Sequence, residues 1–83
     1  MKEMKKKATI FDDMRKATTE FYANCMVKTK RNEVNRFAIP QSVLDAEMLD
    51  GLEALQQFVE FCEVRGFKCY FGNAVGIILV GRA

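Results

Sequence analysis

Residues 42–80 read SVLDAEMLDGLEALQQFVEFCEVRGFKCYFGNAVGIILV, and the rhythm of their apolar residues changes twice. Up to Arg65, the residues Leu44, Met48, Leu52, Leu55, Val59 and Cys62 recur at spacings of four and three, which only an α-helix gathers onto one face. Leu49, Phe58, Phe61 and Val64 widen this stripe past the narrow seam of a two-stranded coiled coil, so the helix is expected to be covered on more than one side. Gly66 supplies the left-handed residue that closes a helix, and Phe67 beyond it can fold back onto Phe61 or Cys62. The start is less sharply marked. Pro40 with Ser42 and Asp45 offers one N-terminus, and Asp50 with Glu53 three residues on offers another, capping-box-like one. Gly51 lies between them, and the pattern favours one helix over 42–65 with a weak point there.

After Gly66 the period becomes two. Phe67, Cys69 and Phe71 alternate with Lys68 and Tyr70, as in a half-buried strand. Gly72-Asn73 provides residues that tolerate positive φ in a tight turn, and Val75 to Val80 is apolar on both faces of a second strand. An antiparallel hairpin over 67–80 follows.

Working outward toward the N-terminus, Phe37 to Ile39 is a short apolar run that can add a third strand, closed by the extended geometry that Pro40 imposes on Ile39. Residues 32–36 read as a polar connection. Before them, Ile10, Phe11, Met14, Ala17, Phe21, Tyr22, Cys25 and Met26 recur at three and four and predict an amphipathic helix over 10–30. Thr9 is its expected N-cap, Asp12 and Asp13 lie in the first turn, and Lys28, Lys30 and Arg31 lie at the end where the helix dipole favours bases. Residues 1–8, carrying Lys2, Lys5, Lys6 and Lys7, read as a basic flexible tail.

With 83 residues the chain supports one domain, 9–83, with a modest core, and its 49% hydrophobic and 29% charged content is that of a folded soluble protein. No apolar run approaches the roughly 20 residues of a membrane helix, and the lysine-rich start has no apolar run of signal-peptide length behind it. Three cysteines at apolar positions, Cys25, Cys62 and Cys69, lack CxxC spacing and suit buried reduced thiols, which together with the missing leader points to the cytoplasm.

Charge is divided unevenly. Residues 1–36 hold ten bases against five acids, whereas 37–83 hold three bases against six acids. The basic half is a candidate phosphate-contacting arm, with Lys5, Lys6, Lys7, Lys28, Lys30 and Arg31 as contributors, although interspersed acids also fit a solvated helix face. Two helices followed by a hairpin resemble a winged-helix module in outline, yet the helix before the hairpin carries Asp45, Glu47, Asp50, Glu53, Glu60 and Glu63 and would be repelled by DNA.

Catalytic groups are sparse. The chain has no histidine, so the commonest general base and metal ligand are missing. The cysteines fall on apolar faces without an activating partner, no GK[ST] follows the glycines at 72, 76 and 81, and the central-helix acids read as a solvated stripe. No cofactor, metal or small-molecule substrate is implied. In size and lack of chemical motifs the chain is similar to small bacterial or phage accessory proteins that bind another macromolecule.

The sequence therefore predicts an α+β domain of two amphipathic helices packed on an antiparallel hairpin, with a third short strand as an option. Its expected function is that of a non-enzymatic protein-interaction module that self-associates or regulates another protein, with nucleic-acid binding through the basic half as the alternative. A homodimer is expected through the hairpin, with Tyr70, Val75, Ile78 and Val80 at the interface, because one helix can cover only one face of an apolar strand.

Overall fold

A computed structural model describes residues 2–72 and 74–83, with residues 2–7 described by their backbone alone. Helix α1 spans Lys2–Asn24 and passes through a short 3-10 turn, Met26–Lys28, into strand β1, Val34–Ala38. A short helix α2, Gln41–Leu44, precedes the longer α3, Met48–Glu63, and strands β2, Phe67–Phe71, and β3, Ile77–Arg82, complete the chain. The three strands form an antiparallel sheet in the order β1-β3-β2, with the helices packed on one face, so the predicted α+β class holds and the third strand is present.

The third strand pairs with β3, which places β3 in the middle of the sheet. Phe37 lies opposite Ile78 and Asn35 opposite Val80 in one register, while Cys69 lies opposite Val80 and Phe71 opposite Ile78 in the other. Phe37, Ile78 and Val80 thus share the helix-facing side, where all three are buried. β1 starts three residues earlier than the apolar run Phe37 to Ile39 suggests, because Asn35 occupies an inward position. Its amide donates to the Thr29 hydroxyl, which itself donates to the Cys25 carbonyl at 2.9 Å. The Thr29 carbonyl accepts from Arg82 Nε at 3.0 Å, so one buried threonine ties the end of α1 to β1 and β3.

Both helical boundaries differ from the sequence expectation. The α1 backbone is already helical at Lys2, so Thr9 sits within the helix and does not cap it. The helix stops at Asn24, short of Lys30, and the chain tightens into the 3-10 turn that carries the buried Met26. The predicted central helix is two helices, broken at 45–47, with Gly51 inside α3. A Cβ at Gly51 would lie 3.3 Å from the Val43 carbonyl oxygen, so the glycine allows α3 to lie against α2. Gly66 closes α3 as expected, with φ 82° and its N–H donating to Glu63 O at 3.1 Å. The β2–β3 connection occupies 72–76, with its left-handed residue at Gly76; Asn73, half of the expected turn, lies outside the described residues.

The core is aromatic at its centre. Phe58 of α3 stacks on Phe37 of β1 at 4.1 Å between ring centres, and Phe21 of α1 meets Phe37 edge-on at 5.1 Å. Ile10, Met14, Met26, Val43, Ala54, Cys62, Phe67, Ile78 and Val80 complete it. α2 is held to α1 by the Ser42 hydroxyl, which donates to Asp13 Oδ2 at 2.7 Å.

Candidate protein-interaction surface

The inward side of α3 is formed by Gly51, Ala54, Phe58 and Cys62, at spacings of three and four. This is not the stripe that the sequence singles out. Of that stripe Cys62 alone is fully buried, whereas Leu44, Met48 and Leu52 are exposed and Leu55 and Val59 are half-buried. At 100° per residue, Met48, Leu52, Leu55 and Val59 fall on one flank of α3, and Phe61 and Gln57 fall on the other.

The two flanks have different neighbours. On the α1 side, Phe61 meets Tyr22 edge-on at 5.6 Å, and the Arg65 guanidinium lies 3.5 Å above the Phe61 ring while donating to the Phe61 carbonyl. On the opposite flank, Leu52, Leu55, Gln56 and Val59 line an open groove of about 430 Å³ whose far wall is Phe71 of β2. Leu52 is 56% exposed and Phe71 61% exposed. Met48, one turn before Leu52 on α3, is also exposed; Leu44, at the end of α2, is exposed as well, and a Cβ at Gly76 would lie 3.2 Å from Leu44 Cδ1, beside the exposed Val75.

The expected interface therefore divides. Ile78 and Val80 are 0% exposed in the core beneath α1 and α3, so they cannot form a surface; the third strand makes β3 central and the helices cover its inner side. Tyr70 and Val75 are exposed, Tyr70 on the outer sheet face and Val75 in the β2–β3 connection. That outer face also carries Val34, Arg36, Lys68, Ile77 and Leu79, with a hollow of about 210 Å³ beside Ile77 and Leu79.

The candidate phosphate contacts are not gathered into one patch. Lys28, Lys30 and Arg31 are exposed where α1 runs into β1, and the Lys30 backbone N–H donates to Glu33 Oε1 at 2.7 Å. Lys5, Lys6 and Lys7 fall on residues whose side chains are not described, and their backbone lies near the start of α1, about 25 Å along the helix axis from its end. Between them, Asp12 pairs with Lys16 at 3.2 Å and with Arg15, and these two partners hold its carboxyl below the ordinary carboxylate range.

The three cysteines are free thiols. Cys62 hydrogen-bonds Cys69 across the α3–β2 packing; this bond, reinforced by burial, pushes the Cys62 thiol above its ordinary range, and the same bond lowers that of Cys69. A thiol held protonated and without exposure is a packing group. Among the described residues no three cysteine, aspartate or glutamate side chains converge as a ligand set, and no helix is long and apolar enough to cross a membrane. The spacing puts Leu52, Leu55 and Val59 on a stripe expected to be covered and Phe71 on the apolar side of its strand; the signal that marks them as a groove is that α3 is apolar over more of its circumference than its described neighbours cover. No protein-family model matches this chain, and neither a curated protein nor a solved structure matches it.

Proposed function

We propose that this chain acts by binding protein, through the apolar flank of α3 and Phe71, and that it is a small accessory or regulatory module with no catalytic role. The observation that carries this reading is the open groove itself: four apolar side chains and one amide, with no charged group among its lining residues. Soluble proteins seldom leave a contiguous apolar surface of this kind uncovered unless a partner takes it. Catalysis would require convergent titratable groups, and this lining has none. The three thiols, unbridged and hydrogen-bonded or packed, support a reducing setting such as the cytoplasm.

The test uses the whole chain immobilised beside its Leu52→Glu form, with extract of its native host passed over both. A protein retained by the wild-type chain and lost with Leu52→Glu is the expected outcome. The reading is overturned if nothing distinguishes the two surfaces and the chain instead binds a labelled single strand or duplex in low salt, with affinity that falls steeply as salt rises and is lost when Lys28, Lys30 and Arg31 become alanine.

A further inference from the structure

We infer that the partner on this surface is a second copy of the chain, the two β2 strands pairing antiparallel across a two-fold axis so that the three-stranded sheet becomes six-stranded and the apolar flanks of the two α3 helices close on each other. This rests on the protein-binding reading above and names its partner.

Three features of the fold lead to it. β2 is an edge strand, hydrogen-bonded among the described residues to β3 on one side only, and an open edge is a template for another strand. The uncovered flank of α3 lies on that same side of the molecule, since Phe71 of β2 forms the groove wall opposite Leu52 and Val59. Finally, α3 turns into β2 through Gly66, and Phe71 at the far end of β2 lies back beside Leu52, Leu55 and Val59, so helix and strand run in opposite directions. A two-fold axis that pairs β2 with its copy then sets α3 antiparallel beside its copy, and one operation covers both the strand edge and the groove. An added foreign strand would satisfy the edge and leave Leu52 and Val59 open.

Charge and area agree with a self-complementary contact. Leu52, Leu55, Gln56, Val59 and Phe71 carry no charge, so the groove lining itself sets no like charges against its copy; Glu63, at the last turn of α3, is the acid that falls on the same flank. Met48, Leu52 and Phe71, each with on the order of 100 Å² of removable apolar surface, and the half-buried Leu55 and Val59 with less, supply on the order of 400 Å² per copy before the strands are counted. A stable interface needs about 800 Å² per partner, so the dimer requires the pairing of the five-residue β2 strands in addition to the helix flank. The other sheet edge differs in charge: the groove over β1, lined by Ala17, Phe21, Cys25, Phe37 and Ala38, also carries Glu20 and Asn24, so pairing there would bring an acid toward its copy.

Sedimentation equilibrium of the full chain at micromolar concentration tests the inference, with a mass of twice 9.5 kDa expected. Leu52→Glu and Phe71→Lys, made separately, should each weaken the dimer by about thirtyfold or more, the effect of a central interface residue, with the far-ultraviolet circular dichroism unchanged. Val34→Lys on the outer sheet face should leave the mass alone. Should a variant lose its helical signal, amide hydrogen exchange on the wild-type chain decides: Phe67–Phe71 should slow as concentration rises, and Val34–Ala38 should not. A wild-type monomer, a dimer that survives both substitutions, or protection that appears on β1 overturns the pairing. A wild-type monomer that still retains a host protein through Leu52 removes the self-pairing and leaves the protein-binding reading standing; a monomer that retains nothing removes both.

Discussion

The two flanks of α3 have similar chemistry and opposite surroundings. Toward α1, Phe61 is covered by Tyr22 and by the Arg65 side chain, which stacks on its ring and ties itself to the helix end. Toward the β2 edge, Leu52 and Val59 face a groove with Phe71 across it and, among the described residues, no further element beyond. Between them the helix touches the sheet through Ala54, Phe58 and Cys62, and the small Ala54 allows the close approach that lets Phe58 stack on Phe37. The lesson is that an apolar stripe describes what a helix can bury, while the number of neighbouring elements decides what it does bury. Among the described residues, α3 has a neighbour on the α1 side and none over Leu52.

The largest expected effect tests that division directly. Phe58→Ala removes the ring at the centre of the aromatic core and should cost about 3–5 kcal/mol in urea or guanidinium unfolding. Leu52→Ala should cost no more than about 0.5 kcal/mol when measured on dilute monomer. Since a domain of this size has only about 5–15 kcal/mol in total, Phe58→Leu, expected to lose less, serves as the milder probe if the alanine form does not fold. Equal losses at positions 58 and 52 would mean that both flanks are core and that the groove is filled.

Next in size is the buried junction that fixes β1. Thr29→Ala deletes the hydroxyl that receives the Asn35 amide and leaves that inward-facing amide without its partner, at a cost of about 1–3 kcal/mol. The loss should be accompanied by faster amide exchange in Val34–Ala38 than in Phe67–Phe71. A uniform change across both edge strands would show that Thr29 does not hold β1 in particular. Because β1 makes β3 central and so turns Ile78 and Val80 inward, this junction also decides which apolar residues remain for the surface.

Much of this fold can be read from the residues. The helix-to-strand switch at Gly66, the amphipathic character of α1 and the alternation of β2 are local signals, set by spacing and by a glycine that must take positive φ. The position of β1 is not, because Asn35 looks polar and outward in the sequence and is inward only when Thr29, six residues earlier, turns back to accept its amide. Likewise Leu44, Met48 and Leu52 make the more regular stripe, yet the buried side is the less regular Gly51, Ala54, Phe58 and Cys62, since small residues mark close approach and contribute little to a hydrophobic count. The groove could be inferred only after counting partners: with β3 covered by a third strand on one edge and by helices on one face, no described element lies beyond Phe71.

A smaller effect is expected at Gly51. Alanine there gains about 1 kcal/mol of helix propensity, but its Cβ would meet the Val43 carbonyl oxygen at 3.3 Å, a backbone atom that yields poorly. The two terms oppose each other, and the expected outcome of chemical denaturation is no net stabilisation. A clear gain of the full propensity value would show that α2 moves freely away from α3, and would enlarge the uncovered surface to include Val43.

The smallest effect sets the floor against which losses on the outer flank of α3 are judged. Asp12 is solvent-accessible on α1, with Lys16 and Arg15 beside it lowering its carboxyl from the ordinary value of 3.8. A carboxylate whose value is lower in the folded state than in the unfolded one adds stability above the unfolded value and loses it as pH falls through the folded value. Stability should therefore decline with acid below about pH 3.8, and the Asp12→Asn form should lack that small share of the decline. Exposed pairs of this kind are weak and are screened by salt, so the difference between wild-type and Asp12→Asn unfolding curves should shrink as salt is added. If Leu52→Ala and Asp12→Asn prove indistinguishable at neutral pH in dilute protein, Leu52 contributes to the monomer as little as a solvated charge does. A loss at position 52 well above that floor would mean that the flank already packs against its own chain.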